Sequence, residues 1–73
     1  MNENEKEILS RLQHEYNEVE DRICRLVCFL KRPNLENTMD VIELELLKEQ
    51  KNVMVTYLAI LKHRIEYLKN KYN

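Results

Sequence analysis

The sequence predicts an all-α fold, an antiparallel two-helix hairpin of coiled-coil type that oligomerises into a helical bundle. Three observations carry that expectation. Leu9, Leu12, Tyr16, Val19, Ile23, Leu26 and Leu30 step alternately by three and four. Leu44, Leu47, Lys51, Met54, Leu58, Leu61, Ile65, Leu68 and Tyr72 repeat that rhythm, and such spacing sets each group on one stripe of a helix. Between the two ladders stands Pro33, the one proline in a chain of 73 residues without a single glycine, so the backbone has one natural break.

The first helix is expected over about residues 3–31. Asn2 or Asn4 suits its N-cap, and Glu5 and Glu7 fall in the positively polarised first turn. Pro33 disfavours helical geometry at Arg32, while Lys31 and Arg32 complement the negative helix end. The connection, about residues 32–38, holds Pro33, Asn34, Leu35, Glu36, Asn37 and Thr38. The second helix, about residues 39–71, restarts at Asn37, Thr38 or Asp40; with Asp40 as cap, Glu43 is placed to complete a capping box. At about 1.5 Å per residue each helix spans about 40 to 50 Å. A turn centred near Leu35 sets Leu26 opposite Leu44 and Leu12 opposite Leu58, with Glu20 beside Lys48 and within reach of Lys51. The whole chain, 1–73, reads as one domain.

A lone hairpin of this length has a single seam in which to hide apolar side chains and ordinarily needs a staple. Cys24 and Cys28 lie four apart on one helix, where a disulfide has poor geometry, and they are expected to pack as small hydrophobes with Val27, Leu35, Val41 and Ile42 around the turn. Two thiolates fall short of a four-ligand zinc site, and His14 and His63 are not spaced to complete one. Association with further copies of the chain is therefore the expected staple.

The second helix supports that expectation. Leu46, Val53, Ile60 and Tyr67 recur every seven residues beside the main ladder, with Gln50, Tyr57, Arg64 and Lys71 threaded between them, which widens the apolar arc to about 150°. One neighbouring helix cannot cover so wide an arc. Leu46, Val53, Tyr57, Ile60 and Tyr67 are accordingly assigned to an oligomer interface, most simply a two-fold one. The flank carrying Gln50, Tyr57 and Arg64 faces Ile8, Glu15, Arg22 and Phe29 of the first helix. Its aromatic, amide and guanidinium groups suit two uses: anchors between chains, or a pocket for a planar phosphate-bearing ligand.

Charge excludes several functions. Charged residues make up 34% of the chain, but 12 Lys plus Arg nearly cancel 13 Asp plus Glu, so neither DNA, RNA nor anionic lipid is indicated as a partner. No apolar run approaches the roughly 20 residues that cross a bilayer, and the start Asn2, Glu3, Asn4, Glu5 is the reverse of a basic leader. Two cysteines with no evident bridge agree with a reducing compartment, so a soluble intracellular protein is expected. The lack of glycine removes phosphate loops and nucleophile elbows. His14 and His63 have no nucleophile or orienting carboxylate at a useful spacing, and Glu15, Glu18, Glu20 and Asp21 sit on a solvated helix surface. No catalytic residue, metal or cofactor is expected.

Leu12, Glu15, Tyr16, Arg22, Ile23, Leu26, Phe29 and Leu30 of the first helix, with Leu46, Leu47, Gln50, Met54, Tyr57, Leu58, Ile60, Leu61, Arg64 and Ile65 of the second, resemble a family of small proteins from crAss-like and other tailed phages. The likeness runs over nearly the whole chain, while Pro33, the cysteines and the loop stand outside it. It implies a phage product acting in the cytoplasm of a bacterial host, with no catalytic activity attached. In type the chain also resembles the phage sponges of the anti-CBASS and anti-Thoeris kind, homo-oligomers that enclose a nucleotide immune signal between subunits, although it lacks a strongly basic balance. That resemblance implies a ligand such as a cyclic oligonucleotide or an ADP-ribose derivative. Arg22 and Arg64 would hold phosphate, and Tyr57, with Tyr67 or Tyr16, would stack on base or ribose. Gln50 would read a polar edge and Phe29 would wall the site. The alternative is a homo-oligomeric protein–protein interaction module with no small ligand: a host-protein inhibitor, an adaptor or a virion assembly factor.

Overall fold

The computed structural model describes residues 1–73 as three helices: α1 (Glu3–Leu30), α2 (Leu35–Thr38) and α3 (Val41–Tyr72). The two long helices pack against each other in opposite directions to make a rod of 54 × 14 × 14 Å. There are no strands.

Local chemistry accounts for each end. Asn2 caps α1 by accepting a hydrogen bond from the Glu5 amide at 2.8 Å, and its own amide donates to the Glu5 carboxylate at 2.9 Å, a complete capping box. At the other end the Lys31 and Arg32 amides reach back to Val27, Cys28 and Phe29 carbonyls, which tightens the last turn before Pro33 breaks it. Asn34 then reverses the chain with φ 61°, a left-handed conformation that asparagine accepts more readily than most residues. The connection is not all turn: α2 closes with the Met39 amide and the Thr38 hydroxyl both donating to the Leu35 carbonyl, and the Leu35 side chain is buried. Asp40 caps α3, accepting from the Ile42 amide at 2.9 Å. Replacing Asp40 with Ala leaves that donor unpaired and is expected to cost about 1 kcal/mol. A fall in the urea midpoint, with the mid-α3 variant Asn52→Ala close to wild type, is the corresponding measurement.

Both ladders face the seam. Every one of their members is buried or half-buried, and in α3 no other residue is. Leu12, Val19, Leu61 and Ile65 form the buried cluster, with Tyr16, Ile23, Leu58 and Leu68 packed against it. Leu12 and Val19 share one buried cluster with Leu61 and Ile65, and Val19 and Leu26 border one groove with Gln50, Met54 and Tyr57, so the register is offset by nearly two helical turns from a hairpin centred on Leu35. The helical turn of α2 is the cause, because it moves the midpoint of the connection toward Thr38. Glu20 does not meet Lys48; Lys48 instead pairs with Glu45 at 3.4 Å within α3. All the ion pairs are of this local kind, three or four residues apart. No side-chain hydrogen bond crosses the seam either, and half-buried Lys51 is its only charged member. The pairing of α1 with α3 thus rests on apolar contact.

Candidate functional site

On one flank of the hairpin a groove of about 360 Å³ opens between the long helices. It results from the heptad arrangement: Arg22 on α1 and Gln50 and Tyr57 on α3 stand just outside the seam, and Val19, Leu26 and Met54 from the seam form its floor. Arg25, one turn beyond Arg22, adds a second guanidinium. No carboxylate lines the groove. Asp21 holds Arg25 from outside at 3.1 Å, whereas Arg22 belongs to no ion pair. The Gln50 amide donates weakly to the Met54 sulfur at 3.9 Å, which lays its side chain along the floor. Two cationic forks, an aromatic ring and an amide over an apolar floor form a set suited to a planar anionic ligand.

The groove gathers Arg22, Gln50 and Tyr57 from the residues singled out in the sequence. The others lie elsewhere. Phe29 belongs to a second groove of about 410 Å³ nearer the turn, where the Arg32 guanidinium sits 4.9 Å over its ring. Tyr16 lines a smaller one of about 180 Å³ on the opposite flank, with Gln13, Lys62 and Lys69. Arg64 and Tyr67 are exposed and border none of the three. Arg25 escaped the sequence reading, although its position three residues from Arg22 places the two on neighbouring parts of one helix surface.

Cys24 and Cys28 require a correction. Both are exposed free thiols in the groove of Phe29, not packed around the turn, and Val41 and Ile42 are exposed as well. Cys24 follows the seam residue Ile23 by one position, and a helix turns about 100° per residue, which carries the thiol out of the seam.

The predicted interface residues remain uncovered by the fold. Leu46, Val53, Ile60 and Tyr67 are 54%, 68%, 51% and 65% exposed, and Tyr57 is exposed at the groove edge. The stripe they form runs along α3 beside the Arg22 groove. His14 lies on the outer surface 3.1 Å from Glu18, and no group of His, Cys, Asp and Glu is arranged to hold a metal. No helix is long and apolar enough to cross a membrane.

A protein-family model described as Sequestin matches residues 6–67, which take in the greater part of both long helices and the whole connection. No curated protein matches the chain, and no solved structure does.

Proposed function

The chain belongs to the Sequestin family, and on that footing we propose that it is a non-enzymatic phage counter-defence protein that withholds a nucleotide immune signal from its host effector. The family name is consistent with sequestering a molecule and points to a binding protein. The proposed cargo is a cyclic oligonucleotide or an ADP-ribose derivative, held in the bacterial cytoplasm in pockets between protomers of a homo-oligomer.

One observation carries this reading: Arg22, which belongs to no ion pair, and Arg25, which Asp21 holds from outside, both line a groove with Gln50 and Tyr57 that has no carboxylate in its own lining. Guanidinium forks match phosphate oxygens in pairs, and a tyrosine ring offers a face to a base. Tyr57 on the α3 rim of the groove is exposed, and the exposed stripe runs beside it. Homo-oligomerisation is supported by the size of the core, since five buried residues of 73 leave a small domain short of apolar burial.

Titration calorimetry against cyclic di- and trinucleotides and ADP-ribose derivatives tests the proposal. Saturable heat with at least one of them is expected, and none at high protein concentration would end it. Arg22→Ala combined with Arg64→Ala is expected to lower affinity at least 100-fold with oligomer mass unchanged, on about 1.5–3 kcal/mol per charge-assisted hydrogen bond. The exposed stripe also suits the protein–protein interaction module, in which these arginines are anchors. Dissociation of the double variant into monomers, without any measurable ligand for the wild type, would favour that second reading.

A further inference from the structure

Arg64 sits on the same edge of α3 as Gln50 and Tyr57, but two helical turns beyond Tyr57, which at about 1.5 Å per residue is about 10 Å along the axis. It borders no groove and joins no ion pair. We infer that a second copy of the chain seats its α3 antiparallel on the stripe of Leu46, Val53, Ile60 and Tyr67 and inserts the partner's Arg64 into the groove of Arg22, Gln50 and Tyr57. The site is then composite, with Arg22 and Arg25 from one protomer and one guanidinium from the other.

Three features of α3 lead there. Leu46 and Tyr67, and likewise Val53 and Ile60, lie symmetrically about a point near Tyr57, so a two-fold axis at that point lays the stripe on itself. That operation sets the partner's Arg64 opposite the turn from Glu49 to Val53, which contains Gln50 at the groove rim. Charge favours the antiparallel direction. The first turns of α3 carry Glu43, Glu45 and Glu49 against Lys48 and Lys51, and the last carry Lys62, Arg64, Lys69 and Lys71 against Glu66, so the two ends differ in net sign and antiparallel copies set opposite charges together, whereas parallel copies set like on like. Finally, Tyr57 on the α3 rim of the groove is itself exposed and stands beside the stripe, so a helix seated on the stripe comes to lie next to that rim.

The ligand arm rests on the proposed nucleotide binding; the geometric arm stands without it. With Cys24 and Cys28 changed to Ser, the variants Gln50→Cys plus Arg64→Cys and Val53→Cys plus Arg64→Cys are oxidised under mild conditions. At least one is expected to run as a covalent dimer on a non-reducing gel, several-fold more than any of the single-cysteine chains. Both remaining uncrosslinked while helical by circular dichroism would overturn the inference, whatever the protein binds. For the ligand arm, Arg22→Ala and Arg64→Ala chains, each weakened in titrations with ADP-ribose or another member of the panel, are mixed and refolded together. In a mixed dimer one site keeps both arginines, so tight binding should return at up to about a quarter of the wild-type stoichiometry, from half the sites in half of randomly formed dimers. No recovery means that Arg64 acts within its own chain. If nothing in the panel binds wild type, the nucleotide reading fails and the crosslinks alone decide the subunit geometry.

Discussion

Val53→Glu combined with Ile60→Glu is expected to convert the protein from an oligomer into monomers of 9.0 kDa by sedimentation or light scattering. The two side chains are 68% and 51% exposed in the single chain, so the charges cost the hairpin itself little. Inside an interface they would meet apolar surface and, across a two-fold axis, each other. Burying an unpaired carboxylate costs several kcal/mol, enough to shift a micromolar association beyond measurable concentrations. Ligand binding should be lost with the oligomer. A wild-type chain that sediments as a monomer, or a double variant with unchanged mass, would refute the assignment of this face.

Leu61→Ala should have the largest effect on stability. Leu61 is the one side chain with no exposure, and it sits among Leu12, Val19 and Ile65 in the only buried cluster of the seam. Removing three carbons there costs about 2–5 kcal/mol. Because no polar contact joins α1 to α3, nothing else compensates for the cavity, and the loss is comparable with the whole stability of a small domain. Thermal melts followed by circular dichroism should show a drop in midpoint of 10 °C or more, at about 4–8 °C per kcal/mol for a chain of this size. Leu46→Ala, on the exposed stripe, is the contrasting variant: its effect should depend on protein concentration. A Leu61→Ala midpoint within a few degrees of wild type would show that the seam is not where the stability lies.

The two ladders were legible because burial in a helix pair is periodic and the sequence records that period directly; even Lys51, a charge in an apolar stripe, sits in the seam where its spacing puts it. Helix ends were legible for a similar reason, since Asn2, Asp40 and Pro33 act within a few residues of themselves. Register was not. It depends on how the chain turns at Asn34 and on the single turn of α2, conformations that no repeat encodes. An error there passes to every cross-helix pairing, which is why Glu20 and Lys48 were expected together. The Arg22, Gln50 and Tyr57 grouping survived that error because all three lie on one flank, and sliding the helices changes their spacing along the axis but not their side. Arg25, Phe29 and the two thiols depended on details of angle that spacing leaves loose.

The apolar seam has a corollary for evolution of the site. With no salt bridge or hydrogen bond spanning α1 and α3, no polar contact along the shaft fixes one heptad alignment against the next, and the segment from Pro33 to Asp40, pinned by buried Leu35, helps to set how far one helix is drawn past the other. Arg22 is delivered by one strut and Tyr57 by the other, so the loop some distance away acts as the gauge of the cleft. Lengthening or trimming it by a few residues offers a lineage a way to resize that cleft without altering any residue that lines it.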